Sequence, residues 1–307
     1  MKKTNISALL LAALLLIQLL CAPVSAVTAE PAADAQADAQ TASDDSAGDA
    51  AAEADSVPED QLLSSREQFS VAAKAALLID LNTNRVVYEQ DADERVYPAS
   101  LTKIMTCLIA LENGNLSDVV TVSESALADL DEDSSVAGLV VGEQMTLENL
   151  LYCMMVVSGN DACNVIAEHV AGSVTDFVRM MNQRAYELGC TNTHFNNPHG
   201  LHDESHYTTA RDLAIITQAA LKSENFRQIV DTYEYKLPDD NMRQNIPKLK
   251  TTNMLIYQSM SNSLYYPRAH GIKTGYTSQA GRCVISEATG DGLDLLGIVC
   301  GAATTVL

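Results

Sequence analysis

"YPASLTKIMT", residues 97–106, sets a serine three residues ahead of a lysine at a point where a helix begins. Leu101, Ile104, Met105, Leu108 and Ile109 follow at the i, i+3, i+4, i+7, i+8 spacing of one buried helical face. Residues three apart share a face, so the Ser100 hydroxyl and the Lys103 ammonium can meet. Both flank the apolar stripe, which leaves Lys103 partly desolvated. Burial and the positive end of a helix each disfavour a charged lysine. A lysine lowered in this way meets the requirement for activating a serine without histidine. Taken alone, the pair reads more readily as a surface hydroxyl beside a solvated lysine, because S-x-x-K occurs often by chance.

Outward from this stretch, the chain alternates strands and helices. "AALLIDL" and "RVVYEQ", joined by the turn-rich "NTN", predict an antiparallel hairpin between Val71 and Glu89. Thr146 caps a second apolar helix through "LENLLYCMMVV", "SGN" interrupts it, and a further helical run spans Asp161 to Val170. Ser173 with Asp176 and Thr209 with Asp212 match capping boxes, and Gly189 is placed to end the first of those helices. The end of the chain reads as strand, turn and strand: "RCVISEA", "TGDG", "LDLLGIVCGAA". Strands at both ends with helices between predict an α+β domain whose sheet joins the two ends.

The first 66 residues read differently. Lys2 and Lys3 precede an apolar run from Ile6 to Leu20, and Val24-Ser25-Ala26 resembles a cleavage site, so residues 1–26 read as a signal peptide and the protein as exported. Residues 27–66 carry ten acidic residues and one basic residue, Arg66, with no aromatic side chain and no apolar periodicity. Such a segment buries too little surface to offset its ordering entropy and reads as an acidic disordered linker. The net charge of −21 argues against nucleic-acid binding. Beyond residue 26 stand Cys107, Cys153, Cys163, Cys190, Cys283 and Cys300, with no C-x-x-C pair. Most read as small buried apolar residues, and a Cys153–Cys163 disulfide is left open.

Two further motifs bear on chemistry. Ser158-Gly159-Asn160 is a polar triplet in an apolar helical stretch, able to relay a proton and hold an amide, or merely to form an interhelical turn. Lys273-Thr274-Gly275 sits where a glycine at a strand edge lets another backbone approach, and an edge strand can bind an extended peptide whose carboxylate Lys and Thr would read. The bland alternative is a basic hairpin tip. S-x-x-K, S-x-N and K-T-G in this order, between residues 100 and 275, form the signature of penicillin-recognising serine acyl-enzymes.

With the stretches "NPHGLHDESHYTTARDLA" and "GIKTGYTSQAGRC", these motifs make the chain resemble the low-molecular-mass penicillin-binding proteins of the D-alanyl-D-alanine carboxypeptidase family (peptidase family S11) over residues 67–307. The resemblance implies a β-lactamase-like transpeptidase fold, an α/β sandwich of antiparallel sheet plus an all-helical lobe. It implies Ser100 as nucleophile, Lys103 as its base and Ser158 as proton relay. It further implies Asn160, Lys273, Thr274, Gly275 and Tyr276 as substrate-binding positions, with the N–H groups of Ser100 and Tyr276 as oxyanion hole. Position 276, often histidine in relatives, contributes only its backbone. The implied activity is removal of the terminal D-alanine from peptidoglycan stem pentapeptides, with roles in cell wall biogenesis and cell shape and with β-lactams as inhibitors. No cofactor and no metal are implied. Where this chain ends, relatives continue into a helix and often a further domain and an amphipathic anchor. The expectation is therefore a catalytic domain truncated at its C-terminus, acting at the outer face of the cytoplasmic membrane, with peripheral membrane association if a longer C-terminus exists.

Three other readings are open. A serine β-lactamase needs a deacylating carboxylate that the sequence does not place; a D,D-endopeptidase would cut cross-links; a silent wall-binding protein would keep the fold without acylation. His194, His199, His202 and His206 fall within 13 residues, but no H-E-x-x-H pattern accompanies them.

Overall fold

The structure is a computed structural model and describes residues 70–128, 130 and 134–303. The expected signal peptide and acidic linker lie outside the described residues. β1 (Ala75–Asp80) and β2 (Arg85–Gln90) form the expected hairpin. A 3₁₀ turn (Ala99–Thr102) leads into α1 (Lys103–Asn113), and β3 (Val119–Thr121) and α2 (Glu124–Ala128) follow. β4 (Gln144–Thr146) pairs with β3 and passes into α3 (Leu147–Val156). α4 (Asn160–Ala171), α5 (Val174–Glu187), α6 (Ala210–Ala220) and α7 (Glu224–Val230) complete the helices among the described residues. β5 (Glu234–Tyr235) pairs with β6 (Leu249–Lys250) before the long strands β7 (Ala269–Thr277), β8 (Gly281–Gly290) and β9 (Leu293–Ala302).

The main sheet has the order β2-β1-β9-β8-β7, every pairing antiparallel. The last strand therefore lies beside the first, as the α+β reading requires, and β7 with its Lys273-Thr274-Gly275 is an edge strand. Three helix caps are those read from the sequence, and Ser223, which was not, caps α7 by accepting the Phe226 N–H (3.4 Å). Thr146 accepts the Asn149 N–H (3.2 Å), Ser173 that of Asp176 (3.0 Å) and Thr209 that of Asp212 (3.0 Å), and Gly189 follows α5 at φ +83°. Each such cap contributes about 1 kcal/mol.

α1 departs from the expected amphipathic helix. Lys103, Thr106, Cys107 and Ala110 are buried along with the apolar stripe, and α3, α4, α5, α6 and α7 all pack against it. A helix enclosed on every side belongs at the centre of the core. Each of its Ile, Met and Leu side chains gains about 1.5–3 kcal/mol from burial, which fixes the residues at its N-terminus as firmly as the core itself. Cys153 and Cys163 are free thiols, so the disulfide left open by the sequence is not formed; Cys163 Sγ donates to the Gly159 carbonyl instead (3.3 Å). Among the described residues no helix is long and apolar enough to cross a membrane.

Candidate active site

Ser100 does not lie on α1 proper, as the sequence predicts, but on the 3₁₀ turn before it. Side chains three apart eclipse in a 3₁₀ turn, which sets Ser100 over Lys103 more directly than an α-helix would. Ala99, at φ +48°, brings the chain into this turn in a left-handed conformation that L-residues rarely adopt. Strain of this kind persists where surrounding structure over-determines it. Here the surroundings are specific. Thr102 Oγ1 donates to the Ala99 carbonyl (2.8 Å), and His206, whose Nδ1 accepts the Asn196 N–H (3.1 Å), donates from Nε2 to Thr102 Oγ1 (2.9 Å).

Lys103 is fully buried, beyond the partial desolvation expected for it. Its Nζ contacts Ser100 Oγ at 3.0 Å, Asn160 Oδ1 at 2.7 Å and the His199 carbonyl at 2.8 Å. Burial pushes its pKa below the ordinary lysine value, with Cys163 and Asp161 opposing that shift. A neutral amine has two N–H donors and one lone pair. Two of its three partners accept only, so they take both donors, and the lone pair is left for the Ser100 hydroxyl proton.

Ser158, two residues past the end of α3, has φ +64° and is buried at the turn that starts α4 with Asn160. Lys273 is buried on β7. Burial first and the neighbouring amine of Lys103 second hold its pKa well below the ordinary value, and its Nζ donates to the Thr274 carbonyl (2.9 Å). Thr274 Oγ1 shares a hydrogen bond with Thr252 Oγ1 (2.6 Å). A Cβ on Gly275 would stand 3.0 Å from the Ser100 nitrogen and 3.2 Å from the Pro98 carbonyl oxygen, so glycine lets β7 close against the nucleophile turn. Tyr276 follows, half-exposed. Ser100, Lys103 and Asn160 thus form one hydrogen-bonded cluster and Gly275 abuts it, while Ser158 stands two residues before Asn160 and Lys273 and Thr274 immediately precede Gly275 on β7.

Sequence reasoning missed the His199 carbonyl and the glycine beside it. Asn197 Oδ1 accepts the N–H groups of His199 (3.3 Å) and Gly200 (2.6 Å), an Asx turn that aims the carbonyl at Lys103. The Asn-Pro-His-Gly string carries that turn signal, but nothing in it names a partner 96 residues away. The four histidines diverge: His194 Nδ1 donates to the Ser205 carbonyl (2.7 Å), His202 meets the Tyr97 ring edge-on, and His199 and His206 are buried. Among the described residues no group of three or more His, Cys, Asp or Glu side chains is arranged to hold a metal ion.

Comparison with known proteins bears on this arrangement. The sequence model of the family described as D-alanyl-D-alanine carboxypeptidase matches residues 62–304. The chain belongs to that family. It is 40% identical over 240 residues to the D-alanyl-D-alanine carboxypeptidase DacF of Bacillus subtilis, covering 76% of this chain and 58% of that one. With the corresponding DacA of Haemophilus influenzae it shares 36% over 241 residues, again 76% of this chain and 58% of the relative. The chain therefore spans under two thirds of the length of these relatives. Among solved structures, a Streptomyces DD-transpeptidase superposes with a TM-score of 0.69 at 31% identity, covering 77% of this chain and 92% of that one. Penicillin binding protein 5 of Haemophilus influenzae gives 0.68 at 34%, over 77% and 67%. The α+β fold, an antiparallel sheet with an all-helical lobe, is the fold of these proteins.

Proposed function

We propose that this chain is a serine-type D-Ala-D-Ala carboxypeptidase that trims the terminal D-alanine from peptidoglycan stem pentapeptides through an acyl-enzyme on Ser100. The observation that carries the reading is the 3.0 Å contact between Ser100 Oγ and a Lys103 that is buried and biased toward its neutral form. The Ser100 oxygen attacks the carbonyl between the two D-alanines while its proton passes to Lys103 Nζ. The N–H groups of Ser100 and Tyr276 take the developing oxyanion, each donor worth about 10²–10³ in rate. Ser158 passes its proton to the departing D-alanine amine and takes in its place the proton held by Lys103, so the C–N bond breaks and Lys103 returns to its neutral form. Water then attacks the ester, its proton returning through Lys103, and frees both the shortened peptide and Ser100. A positioned proton acceptor contributes about 10²–10⁴.

Asn160 holds the peptide backbone, while Lys273 and Thr274 on the β7 edge receive the terminal carboxylate, whose negative charge favours the charged form of the lysine that burial disfavours. A β-lactam acylates Ser100 in the same way and leaves slowly. Peptidoglycan lies outside the cytoplasm, so the reading requires export, in keeping with the signal-peptide pattern of residues 1–26. It assigns the protein to the outer face of the cytoplasmic membrane, without a cofactor. The test is D-alanine release from a synthetic stem pentapeptide ending in D-Ala-D-Ala. Release by the wild type that disappears in Ser100→Ala is expected; no release by the folded wild type overturns the proposal.

A further inference from the structure

One buried carboxylate beside the site has no part in the chemistry above. Asp161, the second residue of α4, is 2% exposed. Its Oδ1 accepts the N–H of Ala137 (2.8 Å) and that of Ala162 (2.9 Å), and its Oδ2 accepts those of Gly138 (2.9 Å) and Leu139 (3.0 Å). Three successive amides of a segment more than twenty residues upstream therefore converge on one side chain. The bond is reciprocated by the neighbouring residue, for the Asn160 N–H donates to the Ser135 carbonyl (2.8 Å). The segment also lies hard against the S-x-N turn: a Cβ on Gly159 would come within 3.1 Å of both the nitrogen and the Cβ of Ala137.

The far side of the segment is held as well. Arg243 Nη1 donates to the Gly138 carbonyl (2.8 Å), and its Nε to Glu143 Oε1 (2.8 Å), while Glu143 Oε2 accepts the Val140 N–H (3.0 Å). A carboxylate accepting several backbone N–H groups makes charge-assisted bonds roughly twice as strong as neutral ones. Removing such an acceptor strands buried donors.

We infer that Asp161 is a positioning residue for the acylation step: it clamps residues 135–139 to the first turn of α4 and so fixes the wall from which Asn160 reaches Lys103. Asn160 makes its side-chain bond to Lys103 at 2.7 Å and its backbone bond to Ser135, so the clamped segment and the base share one residue between them. Loosening the segment displaces Asn160, and with it one of the two acceptors that turn the Lys103 lone pair toward Ser100. The carboxylate-binding side of the site, Lys273 and Thr274, stands on β7 and does not depend on the clamp. The loss therefore falls mainly on turnover; capture through Lys273 and Thr274 persists and is weakened only by what Asn160 contributes to holding the peptide backbone. This rests on the carboxypeptidase reading of the site.

The experiment compares wild type with Asp161→Asn, which preserves size but turns an N–H donor toward backbone donors. Amide hydrogen exchange is followed at residues 137–139 and across α3, alongside acylation by a fluorescent penicillin and the kcat and KM for the pentapeptide. The expected result is exchange at 137–139 faster by at least about tenfold with α3 unchanged, kcat and acylation down about 10²-fold, and KM within a few fold. A double variant, Glu143→Gln with Arg243→Met, loosens Gly138 from the other side, at the cost of leaving Asp240 without the arginine 3.7 Å away, and keeps the test open should Asp161→Asn fail to fold. It should show the same pattern, smaller. Protected loop amides with wild-type kcat overturn the inference. So does exchange rising equally throughout the protein with activity tracking only the folded fraction. A wild type that takes no penicillin would instead overturn the functional reading, while the exchange data would still report on the clamp.

Discussion

Gly200 carries the tightest steric constraint at the site, and replacing it with alanine has a calculable consequence. Its φ is +91°, and a Cβ there would lie 1.8 Å from the Ala99 carbonyl oxygen, 2.4 Å from the Ala99 carbonyl carbon and 2.8 Å from Thr102 Oγ1. The left-handed conformation alone costs an L-residue about 1–2 kcal/mol. The contact must also open from 1.8 Å to at least 3.0 Å, the shortest approach real Cβ atoms tolerate, a movement of about 1.2 Å. Either side can move, and each is joined to the chemistry: Ala99 precedes Ser100, and Gly200 follows the His199 carbonyl that binds Lys103 at 2.8 Å. A displacement of about 1 Å between reacting groups costs about 10² in rate. Gly200→Ala should therefore lower stopped-flow acylation by a fluorescent penicillin about 10²-fold. Its melting temperature should fall by about 2–8 °C from the φ cost alone, at about 2–4 °C per kcal/mol. Acylation within about threefold of wild type in a protein that melts normally would refute the close packing of these two turns as the device that sets Ser100.

Further outcomes follow from the buried titratable groups. Burial pushes His199 down to about 3 and His206 down to about 4, whereas the unfolded chain protonates them near 6.5. Stability should fall as pH drops from about 6.5 toward 4, by up to about 1.4 kcal/mol per pH unit for each histidine. His206→Gln should reduce that slope by one proton in urea melts, and an unchanged slope would contradict it. Lys273→Met should raise the melting temperature, since burial disfavours the charged lysine and an apolar side chain of similar length carries no such cost. The same variant should raise KM for a peptide with a free terminal carboxylate but not for its amide; a lower melting temperature or unchanged discrimination would count against it. The six cysteines from Cys107 to Cys300 are free and buried, with Cys163 and Cys190 pushed up to about 12 by burial. A chromogenic thiol reagent should find none of these six in the native protein and all of them after unfolding.

What the sequence made legible was local. The hairpin from Ala75 to Gln90, the capping boxes at Ser173 and Thr209 and the terminal strands each rest on patterns within ten residues or so. The three motifs were legible because their spacing carries chemistry, and Ser100, Lys103 and Asn160 do meet. The conformation at Ser100 was not legible. An apolar stripe beginning at Leu101 fits an α-helix, while the 3₁₀ turn depends on Thr102 and His206, 104 residues apart. The full burial of Lys103 was hidden for a similar reason, since the helices that enclose α1 leave no mark on its own pattern. His199 and Asp161 act through a backbone carbonyl and through backbone N–H groups of distant segments, contacts that side-chain identity cannot announce.

The central claim is that Ser100 is the acylated nucleophile activated by Lys103. The most direct measurement is mass spectrometry of the protein after incubation with penicillin, followed by peptide mapping. A single adduct of the whole penicillin mass on Ser100, absent from Ser100→Ala and greatly slowed in Lys103→Gln, is the predicted result. An adduct on any other residue, or one of undiminished rate without Lys103, would contradict the account.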